Sequence, residues 1–360
     1  MPSFGHGGNV KEISRKNKLE YNKILDFSAN INPLGMPSSV RQAIIENLDE
    51  IEKYPDITYF DLKRAIGKFE NINKENLILG NGAAEVLFNV VRGINPSNTL
   101  ILAPTFSEYE EATKAINGNI IYYKVKEEDD FYIQDNILDY ITNKLDLIFI
   151  CNPNNPTGVI TPKELLENVL IKAKKNNVKV LIDESFLDFI EGNSSMISYI
   201  NEYENLIIIK SLTKLFALPG IRIGYGICNN TVLKEKIEKI SPAWNINILA
   251  EIATKTALKD KDYIKESIQF IKDEKEYLYN RLKGINGLKV YEPSVNFILL
   301  KILIKIDLKT ELLKNNILIR SCNNYEGLDN SYYRIAVRTH EENSELIKNI
   351  INIFEVYKNQ

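Results

Sequence analysis

The feature that most constrains this chain is an alternation of short apolar runs with helical patterns between about residues 77 and 228. Each run is strand-sized, and the segments between them are long enough to cross back over a sheet. Such alternation is typical of an α/β fold with a mostly parallel sheet and helices on both faces. We predict strands at Leu77–Leu79, Thr99–Ala103, Ile120–Lys124, Leu147–Cys151, Val178–Ile182, Leu206–Lys210 and Arg222–Ile227.

The chain of 360 residues is long enough for more than one hydrophobic core. Residues 231–282 are mainly helical, and shorter strand and helix patterns follow them. The first 36 residues carry turn chemistry, including Gly7-Gly8 and Ile31-Asn-Pro-Leu-Gly35. We therefore predict an N-terminal arm (1–36) packing with the small domain, a large domain (37–255) and a small α+β domain (256–360).

Composition narrows the function classes. The formal net charge is -3 with mixed signs along the chain, so no nucleic-acid footprint is present, and the apolar runs are too short for a membrane helix. Three widely spaced cysteines indicate a reduced, cytoplasmic protein, and two histidines leave little for a metal site or a Ser-His-Asp triad. The composition favours a cofactor-dependent enzyme with a small-molecule substrate and no metal.

Polar motifs follow the predicted strands, where open α/β sheets bind ligands. Lys214 follows the run Leu206–Lys210, and a lone lysine there is usually a solvated surface residue. A lysine that attacks a carbonyl must be partly desolvated, and a phosphate nearby needs hydroxyl and guanidinium donors. Such donors are available nearby at Ser211, Thr213 and Arg222.

Further motifs lie at neighbouring strand ends. The turn Gly80-Asn-Gly-Ala-Ala-Glu85 opens a predicted helix whose free N–H groups suit a phosphate. Asp183 suits either a pyridinium nitrogen or a helix N-cap. Asn155 offers an amide to a ring hydroxyl, and two aromatic side chains suit either ring stacking or core packing: Phe106 and Tyr109.

Five motifs in this order resemble those of fold-type-I pyridoxal-phosphate enzymes of the class I/II aminotransferase group. They are the turn at Gly80, Pro104-Thr-Phe-Ser-Glu-Tyr109, Asn152-Pro-Asn-Asn-Pro-Thr-Gly158, Asp183-Glu-Ser-Phe186 and the segment from Ser211 to Arg222. The resemblance implies pyridoxal 5'-phosphate held by Lys214 as a Schiff base, with Asp183 at the pyridine nitrogen and Asn155 at the ring hydroxyl. It places further cofactor contacts at Ala83, Ala84, Phe106, Tyr109, Phe186, Ser211, Thr213 and Arg222. It also implies a homodimer in which Tyr54 reaches the neighbouring subunit's phosphate.

The first residues narrow the resemblance. His6-Gly-Gly-Asn9 and Asp26-Phe-Ser-Ala-Asn30-Ile-Asn-Pro-Leu-Gly35 resemble the threonine-phosphate decarboxylases of cobalamin biosynthesis. Phe186 agrees, because the related aminotransferases usually place tyrosine there, whereas Ser321 departs from an expected acidic residue. The resemblance implies that five residues contact the substrate's phosphate and carboxylate: His6, Asn30, Arg320, Arg334 and Arg338.

Arg334 and Arg338 flank a strand-like Ile-Ala-Val. Because side chains alternate between the two faces of a strand, we expect both arginine side chains to lie on the same face. The predicted reaction is decarboxylation of L-threonine O-phosphate to (R)-1-aminopropan-2-ol phosphate, with L-serine O-phosphate as a near variant. The enzyme alternative is a histidinol-phosphate aminotransferase or a related class I/II aminotransferase. The non-enzyme alternative is a regulatory module that kept the fold.

Overall fold

The computed structural model describes residues 6–192 and 195–358. Its helices are α1 (Val10–Asn17), α2 (Ser38–Glu46), α3 (Phe60–Glu70), α4 (Ala83–Ile94), α5 (Glu108–Lys114), α6 (Ile137–Tyr140), α7 (Lys163–Lys175), α8 (Leu212–Leu215), α9 (Thr231–Ile240), α10 (Ile248–Ala257), α11 (Lys261–Lys283), α12 (Leu308–Leu313) and α13 (His340–Lys358). Its strands are β1 (Leu25–Asp26), β2 (Leu77–Gly80), β3 (Asn98–Ala103), β4 (Asn119–Lys124), β5 (Leu147–Cys151), β6 (Lys179–Asp183), β7 (Leu206–Ser211), β8 (Gly224–Cys228), β9 (Leu288–Val290), β10 (Phe297–Ile302), β11 (Ile317–Leu318), β12 (Arg320–Ser321) and β13 (Tyr332–Ala336).

The large sheet has the order β2-β8-β7-β6-β5-β3-β4. Strands β4, β3, β5, β6 and β7 are parallel, whereas β8 runs antiparallel to both β7 and β2. The middle strands are apolar on both faces because helices cover both: α4 and α5 pack on one side, and α7 on the other. The predicted α/β class with a mostly parallel sheet is confirmed.

The small sheet is antiparallel, with the order β12-β13-β10-β9. Helices α11 and α13 bury one of its faces, through residues such as Ile298 and Ile335. The opposite face carries Leu299 and Tyr332, which pack near Phe131 of the segment that follows β4. This second face therefore looks toward the large sheet.

The N-terminal segment joins the small-sheet half of the molecule. Leu25 and Asp26 of β1 pair in parallel with Ile317 and Leu318 of β11. Ile13 of α1 and Ile24 form an apolar cluster with Leu318. The pairing carries residues 27–32 to the junction of the two sheets, while the exact domain limits at 36 and 255 stay predictions.

Register within the large sheet brings three chemical segments together. Cys151 at the end of β5 is opposite Asp183 at the end of β6, and Asp183 is opposite Ile209 of β7. On the far side of β7, Ser211 pairs with Gly224 of β8. The segments that follow β5, β6 and β7 consequently meet at one edge of the sheet.

Candidate active site

Lys214 lies in the short helix α8, immediately beyond β7. Its backbone carbonyl accepts a hydrogen bond from the Asn32 N–H at 3.2 Å, which ties this turn to the N-terminal segment. Burial lowers the pKa of the Lys214 ammonium to about 8, and the nearby charges of Arg334 and Arg222 act in the same direction. Near neutral pH a usable fraction of this amine is therefore uncharged and nucleophilic.

The donors predicted to hold a phosphate, the phosphate cradle, lie together beside Lys214. Helix α4 begins at Ala83, so the N–H groups of its first turn point out of the helix toward the side chains of Ser211, Thr213 and Arg222 that line the same cavity. Gly82 has φ +92°, and a Cβ there would come within 2.5 Å of the Arg222 guanidinium. The Ser211 and Thr213 hydroxyls lie 2.8 Å apart. Together these donors suit an anion such as a phosphate group.

Asp183 lines the same cavity. Its carboxylate accepts the Tyr109 hydroxyl at 2.9 Å and the Ser185 backbone N–H at 2.9 Å. Burial raises the pKa of the Asp183 carboxyl, although these hydrogen bonds and Lys214 oppose the shift. A cationic ring nitrogen against Asp183 would stabilise its ionised form.

The two predicted stacking aromatics have different surroundings. Tyr109 is fully buried and stacks on Phe149, with ring centroids 4.9 Å apart, while its hydroxyl holds Asp183. Phe106 contacts Tyr109 edge-on at 5.7 Å and lines the cavity. Both rings therefore line the cavity, and Tyr109 in addition orients the Asp183 carboxylate through its hydroxyl.

Asn155 connects this inner cavity to a second one. Its Oδ1 accepts Arg334 Nη1 at 2.5 Å and the Tyr325 hydroxyl at 3.4 Å. The second Arg334 nitrogen donates to the Ser28 carbonyl at 2.8 Å. Because its oxygen is engaged, the Asn155 amide N–H₂ remains as the donor for a ring hydroxyl.

The outer cavity, of about 440 Å³, lies above Lys214 and is lined by four predicted substrate residues: His6, Asn30, Arg320 and Arg334. Arg320 and Arg334 are register partners on neighbouring strands β12 and β13. The buried Asn30 Oδ1 accepts no hydrogen bond from the described residues. The cavity therefore concentrates cationic groups and amide dipoles where an anionic substrate would meet the lysine.

Sequence reasoning assigned no role to three polar side chains of the outer cavity: Ser28, Glu108 and Tyr325. Glu108 Oε1 lies 2.7 Å from His6 Nε2. Tyr325 carries no motif of its own, so its position in the fold was the only signal for it. Glu108 lies inside the Pro104–Tyr109 run, and that position was an unused signal. Ser28 lies inside the run that contains Asn30, and that proximity was an unused signal.

Arg338 departs from the expectation. Strand β13 ends at Ala336, so the period of two does not extend to residue 338. The Arg338 guanidinium instead binds Glu342 of α13, at 2.8 and 3.1 Å, and it does not line the outer cavity that the described residues form. The two arginines are therefore not both part of β13, and a substrate contact for Arg338 stays a prediction.

Tyr54 also lies away from both cavities of the described chain. Its side chain is 82% exposed and contacts the Trp244 ring, with centroids 5.0 Å apart. Its predicted contact with a second subunit stays a prediction.

Within residues 6–192 and 195–358, no three His, Cys, Asp or Glu side chains are grouped to hold a metal ion. Over the same ranges, every helix is too short or too polar to cross a bilayer. Cys151, Cys228 and Cys322 are buried free thiols.

Comparison with known proteins places these features in context. The family model for aminotransferase class I and II matches residues 22–350. A threonine-phosphate decarboxylase from Salmonella typhimurium is 36% identical over 97% of this chain and 96% of that protein. An adenosylcobalamin biosynthesis bifunctional protein from Leptospira interrogans is 40% identical over 97% of this chain, which spans 41% of that protein. The crystal structure of a histidinol-phosphate aminotransferase from Clostridium acetobutylicum is 35% identical, with a TM-score of 0.87 over 92% of this chain and 99% of that one.

Proposed function

The chain belongs to the class I and II aminotransferase family, and on that premise we propose that it decarboxylates L-threonine O-phosphate with pyridoxal 5'-phosphate. The product is (R)-1-aminopropan-2-ol phosphate, for cobalamin biosynthesis. The observation that carries the proposal is the outer cavity, where His6, Arg320 and Arg334 converge above Lys214. A substrate with both a carboxylate and a phosphate matches the two guanidinium groups and the imidazole.

The inner cavity has the donors that the cofactor requires. The first turn of α4, together with Ser211, Thr213 and Arg222, would hold the phosphate, and Lys214 would hold the aldehyde carbon. Asp183 would face the ring nitrogen and Asn155 the ring hydroxyl. Bound there, pyridoxal phosphate supplies an electron sink for the bond that breaks at the substrate's α-carbon.

Bound pyridoxal phosphate would weaken whichever α-carbon bond overlaps its ring, so the reaction would depend on how the outer cavity orients the substrate's carboxylate. The Arg334 fork is fixed in one plane by Asn155 and the Ser28 carbonyl. Arg320 is anchored through Asn324 at 2.6 Å. Two fixed guanidinium groups and His6 thus define where two anionic groups sit, and the carboxylate must be turned out of the ring plane for carbon dioxide to leave.

Lys214 has a second task after carbon dioxide leaves. In the protein without cofactor the pKa of Lys214 is about 8, so its free amine is mostly protonated at pH 7. It lines both cavities and so can return a proton to the α-carbon. Phe186, which lines the same two cavities, offers no competing hydroxyl.

L-Serine O-phosphate is the near-variant substrate. It lacks one methyl group, and a single methylene or methyl contact discriminates by only about 1–3 kcal/mol. We therefore expect measurable turnover of both compounds.

The alternative function is that of a histidinol-phosphate aminotransferase. The similarity to the Clostridium acetobutylicum structure favours it, because the two chains superpose over nearly their whole length. That substrate needs room for an imidazole ring and has no α-carboxylate for the arginines to turn.

We further propose a homodimer in the cytoplasm. Several large apolar side chains are exposed together around Tyr54, including Ile51, Ile57 and Trp244. A groove of about 510 Å³ lies beside them, lined by Tyr59 and Trp244. A second copy would cover these groups and bring Tyr54 to the neighbouring phosphate cradle.

The three free cysteines support the proposed location in a reducing compartment.

The test is incubation of the purified protein and pyridoxal phosphate with L-threonine O-phosphate, with measurement of released carbon dioxide and the amine product. Histidinol phosphate with 2-oxoglutarate is assayed in parallel, and Lys214→Ala serves as the inactive control. Release of carbon dioxide is expected. Amino transfer from histidinol phosphate without such release would overturn the proposal in favour of the alternative.

A further inference from the structure

Glu127 forms a bridge between the two sheets of the molecule. It lies in the turn that follows β4, and its carboxylate accepts hydrogen bonds from four side chains of the small-sheet half. The four donors and their distances to the Glu127 carboxylate oxygens are Lys301 (2.6 Å), Tyr291 (2.7 Å), Tyr332 (2.7 Å) and Lys289 (3.1 Å). We call these five residues the Glu127 cluster. One carboxylate thus satisfies donors from the segments of three different strands, β9, β10 and β13.

The register of the small sheet explains why these donors converge. Lys301 of β10 is opposite Lys289 of β9 on one side and Tyr332 of β13 on the other. The three side chains therefore form a cross-strand row on the face that looks toward the large sheet. Without a carboxylate, the row would place two lysines next to each other and leave the Tyr332 hydroxyl without this acceptor.

The next row on the same face reaches the outer cavity. Two residues further along β13 is Arg334, which is opposite Leu299 of β10 and Arg320 of β12. Residues two apart on a strand point to the same face, roughly 7 Å from each other. The row held by Glu127 and the row that carries both arginines are thus adjacent parts of one rigid sheet.

Apolar contacts surround the Glu127 cluster. Phe131, 4% exposed, packs its ring against Tyr291 and Tyr332, with centroids 5.1 and 6.2 Å apart. Nearby, Lys124 of β4 pairs with Glu326 at 2.7 Å.

Burial alone raises the pKa of Glu127, but the hydrogen bonds from Lys301, Tyr291 and Tyr332 outweigh it and hold this pKa well below its usual range. Glu127 is therefore charged throughout the physiological pH range.

We propose that Glu127 is a positioning residue for the reaction: it docks the small sheet on the large one and so fixes Arg334 and Arg320 relative to Lys214. The inference rests on the proposed function for its substrate but not for its geometry. A displacement of about 1 Å at a reacting centre costs on the order of 100-fold in rate. Loosening this bridge should accordingly weaken substrate handling without disturbing the cofactor donors, which belong to the large sheet.

The main test compares Glu127→Gln with Glu128→Gln. Glu128 is the adjacent, exposed carboxylate, and its side chain pairs only loosely with Lys126 at 3.8 Å. For Glu127→Gln we expect kcat/KM for L-threonine O-phosphate to fall about 10- to 100-fold, with an unchanged affinity for pyridoxal phosphate. Glu128→Gln should match the wild type, and Glu127→Asp should recover part of the loss.

A second variant and a second measurement keep the inference testable if Glu127→Gln folds poorly. Tyr332→Phe removes one donor and retains the ring, so it should shift kcat/KM in the same direction by a smaller factor; the exposed Tyr132→Phe is its control. Hydrogen exchange in the cofactor-free protein should be faster in residues 124–131 and 332–336 of Glu127→Gln.

The outcomes separate this inference from the proposed function. A Glu127→Gln protein whose kcat/KM and hydrogen exchange both match those of the wild type would overturn the inference. A Glu127→Gln protein that is less stable but has unchanged kinetics would overturn it as well. A wild-type protein that does not release carbon dioxide would overturn the proposed function alone. In that case the same comparison is made with histidinol phosphate, where the arginines must still face the substrate's phosphate.

Discussion

Lys210 and Lys214 are four residues apart, yet their environments shift their pKa values in opposite directions. Lys210 is 1% exposed and pairs with Glu70 at 2.9 Å and Asp188 at 2.6 Å, and these charges raise its pKa despite its burial. Among the described residues Lys214 has no carboxylate so close, and its pKa falls to about 8. The first lysine is a permanent structural cation, whereas the second has a titratable amine.

The lowered pKa of Lys214 predicts the pH dependence of cofactor uptake. Only the neutral amine attacks the aldehyde, so the rate of pyridoxal phosphate incorporation into the cofactor-free protein should rise with pH and be half-maximal near pH 8. Absorbance stopped-flow measures this rate. Arg334→Gln removes one neighbouring positive charge and should move the midpoint upward; a wild-type midpoint near the ordinary lysine value would show that burial and the two arginines do not lower this pKa.

Arg334 and Arg338 should differ in their contributions to kcat/KM. Arg334→Lys loses the planar fork that binds Asn155 and the Ser28 carbonyl, and we expect kcat/KM to fall by about 100-fold or more. Arg338→Lys disturbs only the pairing with Glu342. It should leave kcat/KM within about threefold and lower the free energy of unfolding by at most about 1 kcal/mol. Steady-state kinetics and urea unfolding decide, and equal kinetic losses would restore Arg338 to the substrate site.

The residues that line the inner cavity were easier to predict from the sequence than those that line the outer one. Asp183 and Lys214 follow apolar strands, and parallel strands bring their carboxyl ends to one edge. Tyr325 enters from a loop whose path depends on tertiary packing. Arg338 was placed on β13 because the end of that strand has no strong sequence signal.

At the scale of elements, the N-terminal arm depends on one close backbone approach. Gly7 lies against Ser28, and a Cβ on Gly7 would be 1.9 Å from the Ser28 carbonyl oxygen. Next to it, the Gly8 N–H donates to the Ser28 hydroxyl at 2.9 Å. Since Arg334 binds the same Ser28 carbonyl, the arm and the arginine share one anchor.

Gly7→Ala should therefore displace the arm and with it His6. We expect KM for L-threonine O-phosphate to rise by about tenfold or more, because one charge-assisted contact contributes roughly 1.5–3 kcal/mol. Affinity for pyridoxal phosphate should be unchanged. Gly284→Ala is the control, since the nearest atom to its added Cβ is 3.9 Å away. An unchanged KM for Gly7→Ala would show that His6 does not contact the substrate.

Element positions followed from burial more than from local propensity. Strands β5 to β7 were predictable because each is an uninterrupted buried run. The predicted strand at Arg222 begins instead at Gly224, because Arg222 has φ +62° and belongs to the turn. The antiparallel direction of β8 depends on the short return from α8, which periodicity does not reveal.

At the scale of the whole molecule, the single chain leaves its cofactor cradle open on one side. Arg222 is exposed, and the exposed pair Tyr54 and Trp244 lies in a different part of the same chain. Trp244 has φ +53°, so its backbone is strained where its ring projects. A two-fold dimer would bury these rings and bring each Tyr54 toward the other subunit's cradle.

Subunit mixing tests this shared site. Tyr54→Ala and Lys214→Ala proteins should each be nearly inactive, because every homodimer lacks one component in both sites. After co-expression with two affinity tags or after unfolding and refolding as a mixture, half of the dimers should be mixed, each with one native site built from Lys214 of one chain and Tyr54 of the other. Random assortment therefore predicts recovery of about a quarter of wild-type activity. Activity equal to the sum of the two separate variants would mean that each chain completes its own site, and a monomer by light scattering would mean the same.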